Sequence, residues 1–350
     1  MASHYKVDRE LNQVLFEGDS VFRKVILNRP NKLNSLNYEM VSQMLRNLRA
    51  FEMNSSVKFV ILKANGKAFC AGGDVLSIVG SMMKGHWSFG ARFYKKQLKL
   101  DYLTATYKKP LIPLIDGIVM GGGVGLSMHG RFKIVTEKAV FAMPEASIGL
   151  FPDVGASHFL SRLPGHFGEY LGLTGARLNG VEMFACGLAT HFVLSRDLPS
   201  LENALQTLIS SENTSIDEVI NKFSQRPKLK EDSIYKRLEI INECFSKDRV
   251  EDILLALENE AKNKEENWVI RAIKSMKSAS PTSLKITLRS GSRAMLFDKD
   301  KKPKWEPSKL ELVSEEMVDR CFAGIDDDDW KYLKLPPSRI PPLEFLKPKL

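Results

Sequence analysis

Over its first 200 residues the chain alternates short apolar runs with longer amphipathic ones. "FRKVILNRP", "VKFVILKANG", "PLIPLIDG" and "FKIVTEKAVFAM" each read as β-structure ending in a turn, and a helical stretch usually follows. The first helix is the clearest. Met40, Val41, Met44, Leu45, Leu48 and Phe51 recur on one face, and Asn37 stands at the N-cap position. Strands alternating with helices predict an α/β architecture with helices packed on sheets. Beyond about residue 200 the period becomes helical throughout. "LENALQTLI", "IDEVINKF", "YKRLEIINECF" and "VEDILLALENEA" are amphipathic segments joined by short polar linkers. The C-terminal stretch, with "DKDKKPKWEP", the acidic run Asp326 to Asp329 and several prolines, reads as an irregular tail draped on the surface.

Composition narrows the class. At 43% hydrophobic and 27% charged the chain is an ordinary globular one, not a disordered one. No apolar run approaches the roughly 20 residues that span a bilayer, so no membrane partner is expected. "MASHYKVDREL" has neither an apolar signal core nor an Arg-rich transit pattern. Four cysteines lie far apart without C-x-x-C, the usage of reduced thiols in an intracellular compartment. The net charge of +9 favours anionic partners, nucleic acid or a small polyanion. The lysines are mixed with acids along the whole chain, and no RNP1, basic-zipper or zinc-finger spacing occurs, so nucleic acid is not expected. A solvated basic surface is the plainer reading. The Asp326 run lacks the glycine and closing glutamate of a calcium loop.

Candidate chemistry sits in three stretches. "DGIVMGGGVGLSMHG" (116–130) puts three consecutive glycines between a β-run and a helix, where backbone N–H groups can meet developing negative charge. A tight crossing that only glycine fits explains the same residues equally well. Leu126 rules out a dinucleotide fingerprint starting at Gly121. "GKAFCAGGDV" (66–75) exposes a second set of amides, with Asp74 placed to cap the next helix. One N–H from each loop aimed at a single oxygen would form an oxyanion hole. "PEASIGLFPDVG" (144–155) holds Glu145 and Asp153 in apolar surroundings, where a carboxyl's pKa rises toward neutrality and suits acid–base work. A buried ion pair or a cap is the structural alternative. Ser127 lacks the closing glycine of a nucleophile elbow, Cys70 reads as a small buried filler, and His129 and His158 as structural. No H-E-x-x-H or zinc spacing occurs, so no metal is expected.

Taken together, "NRPNKLNSL", "KAFCAGGD", "GIVMGGGVGLSMHGRF" and "FAMPEASIGLFPDVGASHFLSRL" resemble, in order, the motifs of the crotonase (enoyl-CoA hydratase/isomerase) superfamily, over about residues 12–200. The chain looks most like the 3-hydroxyisobutyryl-CoA hydrolase branch, a likeness continued in "YLGLTGARLNG", "ACGLATHFV", "SPTSLKITLR" and "DKDKKPKWEP". The resemblance implies a spiral of β-β-α turns over 12–200, followed by a helical region (201–290) and a tail (291–350). It implies an oxyanion hole from the N–H groups of Gly73 and Gly122, holding the carbonyl of an acyl-CoA. CoA is a polyanion, which accounts for the basic surface; Lys32, Ala71 and Asp74 are the implied CoA contacts, and no separate cofactor is needed. Hydratases carry a glutamate where this chain has Gly125, so hydration is disfavoured. Glu145 would attack the thioester or activate water, and Asp153 would orient the substrate hydroxyl or the water.

Two departures stand out. Gln97 replaces a substrate-contacting glutamate usual in that branch. Between "SLKITLRS" and "RAMLFDKDKKPKW" relatives have a further helical stretch, and only a joint around Gly291 remains here. Its absence is expected to expose apolar surface, leaving homo-oligomerisation open. Three functions compete: hydrolysis of a branched 3-hydroxyacyl-CoA as in valine breakdown, another crotonase reaction such as isomerisation, or a catalytically silent binding module. The terminal Pro348-Lys349-Leu350 is a relative of the S-K-L address and suggests a peroxisomal location, with the cytoplasm as the alternative.

Overall fold

Strands that are apolar at nearly every position need cover on both faces, and this chain builds a sheet of that kind. The computed structural model describes residues 12–19, 21–208, 212–263, 266–285, 287, 307–322, 333 and 335. Its strands are β1 (Val14–Glu17), β2 (Phe22–Leu27), β3 (Phe59–Ala64), β4 (Ala68–Cys70), β5 (Leu111–Ile115), β6 (Ile118–Met120), β7 (Ile134–Val135), β8 (Val140–Ala142), β9 (Leu178–Asn179), β10 (His191–Val193) and β11 (Ser224–Gln225). The helices are α1 (Tyr38–Met53), α2 (Val75–Lys84), α3 (Ser88–Ala105), α4 (Gly122–Ser127), α5 (Ala156–Leu160), α6 (Phe167–Thr174), α7 (Gly180–Ala185), α8 (Leu198–Gln206), α9 (Asn213–Asn221), α10 (Leu238–Phe245), α11 (Val250–Asn263), α12 (Asn267–Ser278), α13 (Pro281–Lys285) and α14 (Glu315–Phe322).

The strands form two sheets, β1-β2-β3-β5-β7-β10-β11 and β4-β6-β8-β9. The large sheet is parallel from β2 to β10 and antiparallel at both edges. In the small sheet β4, β6 and β8 run parallel and β9 antiparallel. From β3 to β8 the chain lays one strand in the large sheet and the next in the small one, then adds a helical segment. β3-β4 leads to α2 and α3, β5-β6 to α4, and β7-β8 to the 3-10 turn Glu145–Ile148. This is the expected spiral of β-β-α turns. The small sheet, built of two- and three-residue strands, was not separable by periodicity.

Alternate residues divide the large sheet between two cores. Val60, Leu62, Leu111 and Ile115 join the main core with α1 and α3, whereas Phe59, Ile61, Ile112 and Leu114 face Leu201, Leu205, Ile216 and Ile220 of α8 and α9. α8 and α9 therefore cover the sheet of the preceding 200 residues, and the change of pattern near residue 200 falls within one packed body. Glu182 strengthens the junction. It closes the capping box of α7 with Asn179 and accepts the Ser233 hydroxyl at 2.7 Å. Aromatic contacts of Phe167 and Tyr170 with Tyr235, Phe245 and Trp268 hold α10 and α12 around α6.

No described helix is long and apolar enough to cross a membrane. α11 and α12 expose Leu255 and Ile270, at 55% and 42%. The joint at Gly291, the Asp326 run and Pro348-Lys349-Leu350 lie outside the described residues.

Candidate active site

β4 and β6 are parallel neighbours, so the loops that follow them leave the small sheet side by side. Only glycine permits their contact: a Cβ on Gly123 would lie 2.3 Å from the Cys70 carbonyl oxygen, and Gly72 has φ +103°. The Arg29–Asn37 loop braces the first of them. Asn34, fully buried, donates from Nδ2 to the carbonyls of Asn65 and Ala68, both at 2.8 Å. Leu36 N–H donates to Gly72 O, and Asp74 N–H to Leu36 O, each at 2.8 Å. In this parallel bridge the Gly73 N–H is not part of the pairing and points to the other side. Gly122 opens α4, so its N–H has no acceptor within the helix. A Cβ on Gly122 would be 3.3 Å from Gly73 N. The two expected amides thus stand together, one from each loop.

One face of α3 covers them. Gln97, 2% exposed, lies with Nε2 2.3 Å from where a Gly122 Cβ would be, and its Oε1 has no hydrogen-bond partner. Phe93 packs on Gly73 one turn before, and Asp101 stands one turn after. Asp101 was not expected. It is 4% exposed, both of its oxygens are unpartnered, and a Cβ on Gly125 would be 3.0 Å from Oδ1. Burial first, and then the charge of Asp153, raises its carboxyl well above the ordinary range.

Glu145 and Asp153 complete the group. Glu145 is 6% exposed; its Oε1 would be 2.8 Å from a Cβ on Gly121, and Oε2 has no partner. Burial, reinforced by Asp153, holds it well above the usual carboxylate range. Burial pushes Asp153 up to about 7 against a weaker lowering from its own backbone N–H. Tyr94 also senses both acids: burial and then their charges raise its phenol. Neither acid is an ion-pair member or a helix cap among the described residues, which removes the structural alternative.

Val154 follows Asp153 with φ +47°, a strained conformation for a β-branched residue. His129 holds it there, donating from Nε2 to Val154 O at 2.9 Å. Burial lowers the imidazole's pKa, so the ring is a neutral brace, as expected. The Val154 side chain fills the space beside α4: a Cβ on Gly125 would lie 2.4 Å from Val154 Cβ.

Other expected residues have different surroundings. Asp74 is engaged structurally, accepting from Ser77 N at 3.2 Å as the cap of α2 and from Arg29 at 2.7 Å. Burial works to raise its pKa, but these bonds outweigh it and hold the carboxyl below its usual value. Asp74 thus has a scaffold role at the start of α2. The Ala71 N–H is taken by Leu33 O at 3.0 Å. Lys32 is exposed on the 3-10 turn Pro30–Lys32, while basic side chains gather instead in a groove between α1 and α3, at Arg46, Arg49, Arg92, Lys95, Lys96 and Lys99. Burial pushes the Cys70 thiol up to about 12, and Ser127 Oγ donates to Gly123 O at 2.8 Å, so neither is an activated nucleophile. No cluster able to hold a metal occurs among the described residues.

The profile of the enoyl-CoA hydratase/isomerase family matches residues 22–293. The chain belongs to that family. A probable 3-hydroxyisobutyryl-CoA hydrolase 3 of Arabidopsis thaliana is 47% identical over 361 aligned positions, covering 93% of this chain and 96% of the relative. That alignment is longer than the 350-residue chain, so the relative carries residues this one lacks. A protein of Gallus gallus named 3-hydroxyisobutyryl-CoA hydrolase, mitochondrial, is 39% identical, with 88% of each chain covered. Among solved structures, a carnitinyl-CoA dehydratase from Mycobacterium thermoresistibile superposes with a TM-score of 0.78 at 32% identity, covering 90% of this chain and 97% of that one.

Within this enoyl-CoA hydratase/isomerase fold, Val154 occupies the volume that a side chain at position 125 would need. Gly125→Glu is therefore expected to give little soluble, folded protein instead of a hydratase. A soluble Gly125→Glu protein with a parent-like melting temperature would refute the packing argument. The acids carry a stability signature too. Asp153 folded titrates near 7, against roughly 3.9 in an unfolded chain. Between those values the folded protein holds a proton that the unfolded chain has lost, so stability falls as pH rises through that window. Asp153→Asn is expected to flatten this decline and raise the melting temperature at pH 8; an unchanged or lower value there would contradict it.

Proposed function

We propose that this protein hydrolyses the thioester of a short branched 3-hydroxyacyl-CoA, 3-hydroxyisobutyryl-CoA first among them, to the free hydroxy acid and CoA, as in valine breakdown. The observation that carries the reading is the meeting of two unengaged backbone N–H groups, Gly73 and Gly122, with the unpartnered carboxyl of Glu145. The names of the relatives point the same way. The amides receive the thioester oxygen as it gains charge, each such donor lowering the barrier by roughly 2.7–4 kcal/mol. Glu145, once ionised, takes a proton from the water that adds to the carbonyl carbon, or adds there itself to form a mixed anhydride that this water then hydrolyses to release the acid and free Glu145. The C–S bond breaks, CoA leaves as the thiolate and is protonated to the thiol. Asp153 orients the attacking water. Gln97 packs over the two amides and contacts the acyl group through its amide. No cofactor beyond the CoA of the substrate takes part, and the basic groove between α1 and α3 suits the phosphates of that polyanion.

The absence of a side chain at Gly125 removes a second acid from the face of α4 and disfavours hydration. Thiol release from acyl-CoAs separates hydrolysis from isomerisation, which shifts a double bond, and from a silent binding module, which does neither. Glu145→Gln keeps the size and loses the base. Its kcat is expected to fall by at least roughly 10²–10⁴-fold with CoA affinity nearly unchanged, and parent kcat/KM to drop as pH falls through the raised pKa of Glu145. A Glu145→Gln variant hydrolysing at the parent rate would move the chemistry elsewhere.

For location, the proposal is the peroxisome, resting on Pro348-Lys349-Leu350 alone; the Gallus gallus relative is named as mitochondrial. A fluorescent protein fused ahead of residue 1 is expected to collect in peroxisomes. Mitochondrial or diffuse signal with the C-terminus free would end the idea.

A further inference from the structure

The four-residue spacing of Phe93, Gln97 and Asp101 forms a stripe on the inner face of α3, each step rising about 6 Å. Gln97 lies against Gly122 and Asp101 against Gly125. Both helices thus carry the site one turn beyond the two amides, and at that point the polar group is Asp101. A buried polar side chain is normally satisfied by protein or water, and leaving one unsatisfied is costly. Here both Asp101 oxygens, Gln97 Oε1 and Glu145 Oε2 are buried without partners, with Gln97 against Gly73 and Gly122, Glu145 beside Gly121 and Asp101 beside Gly125. These unpartnered oxygens mark a site shaped for a polar ligand that brings a donor of its own, which a thioester carbonyl does not.

We propose that Asp101 is a substrate-binding residue that takes the hydroxyl group on the third carbon of the acyl chain and so selects hydroxyacyl over plain acyl thioesters. This rests on the 3-hydroxyacyl-thioester reading of the same site and adds to it the residue that would take the hydroxyl. With the carbonyl on Gly73 and Gly122, a hydroxyl on the third carbon lies within about one helical turn of it, the offset from Gln97 to Asp101. Burial and the neighbouring Asp153 favour the protonated carboxyl. A protonated carboxyl offers one donor and retains acceptor capacity, matching a hydroxyl that needs both. Among the described residues no Lys or Arg pairs with Asp101. The other titratable groups coupled to it are Asp153 from the loop and the Cys70 thiol from β4, and the thiol, with its pKa near 12, is neutral. Asp153 is then available for water alone.

The test uses two CoA analogues in which a methylene replaces the thioester sulfur, so that neither can be hydrolysed. One carries a 3-hydroxyisobutyryl group and the other isobutyryl. Their affinities are measured by calorimetry for the parent protein, Asp101→Asn, Asp101→Leu and Asp101→Ala. The parent is expected to prefer the hydroxyl by at least about tenfold. Asp101→Asn, which still donates and accepts, keeps most of that preference. Asp101→Leu abolishes it to within about twofold while leaving isobutyryl affinity unchanged, and Asp101→Ala decides the matter if the leucine variant does not fold. The inference is overturned if the preference survives in both apolar variants, or if both analogues weaken together, the mark of a merely structural residue. Thiol release from the true thioesters by the parent is a separate measurement, so a failed hydrolase reading and a failed Asp101 assignment give different results.

Discussion

Three carboxyl groups, Asp101, Glu145 and Asp153, share one interior site, and no cation pairs with any of them among the described residues. Every other feature of the site follows from that constraint. Burial disfavours their charged forms, and the ionisation of one opposes that of the others. Asp153, the least buried, loses its proton near 7, and its charge helps keep Asp101 and Glu145 protonated. Such a coupled set binds and releases protons as a unit. A surrounding lysine would stabilise the fold and would also quench the basicity of Glu145 that the chemistry uses. The absence of a counter-ion is therefore as much a part of the site as the acids are.

Holding uncompensated acids in place requires a rigid frame. The two glycine loops supply part of it, since Gly123 against Cys70 O tolerates no side chain. The Arg29–Asn37 loop supplies the rest. Its residues Leu33 and Leu36 fix Ala71, Gly72 and Asp74 by main-chain bonds, and Arg29 locks Asp74 at the start of α2. These bonds occupy the groups that could turn inward and leave the Gly73 N–H to the site. The strain at Val154 belongs to the same frame, because His129 and the floor of α4 hold an unfavourable backbone that sets Asp153 beside the other acids.

Much of this was legible in the sequence because Glu145 and Asp153 interrupt an apolar stretch, and because glycine runs after β-runs announce close backbone contact. The alternation of strands and helices gave the α/β architecture for a similar reason, since period-2 and period-3.6 patterns are local, while the β-β-α spiral was implied by the family resemblance. Asp101 and Tyr94 were hidden by their surroundings in "FYKKQLKLDYLTATY", where Lys95, Lys96 and Lys99 make the helix look like a solvated face. The available signal was the spacing of Phe93, Gln97, Leu100, Asp101 and Thr104, all buried on one side. A polar residue on the apolar side of a helix is a stronger pointer than its charge suggests. Asp74 was legible as a cap from its position before α2, and the structure forms that cap, but the Arg29 that holds it lies 45 residues earlier and no local pattern shows it.

The exchange of volume beside α4 links the fold to the reaction it favours. An acid projecting from position 125 and the side chain of Val154 compete for one space, with only 2.4 Å between the Val154 Cβ and a Cβ at 125. A chain that keeps glycine at 125 can bring the 153–155 loop down onto the helix, and doing so carries Asp153 into the site. A chain with an acid at 125 must hold that loop away. Here the acid beside Glu145 comes from that loop. In this chain steric exclusion between positions 125 and 154 leaves α4 bare and seats Asp153 beside Glu145.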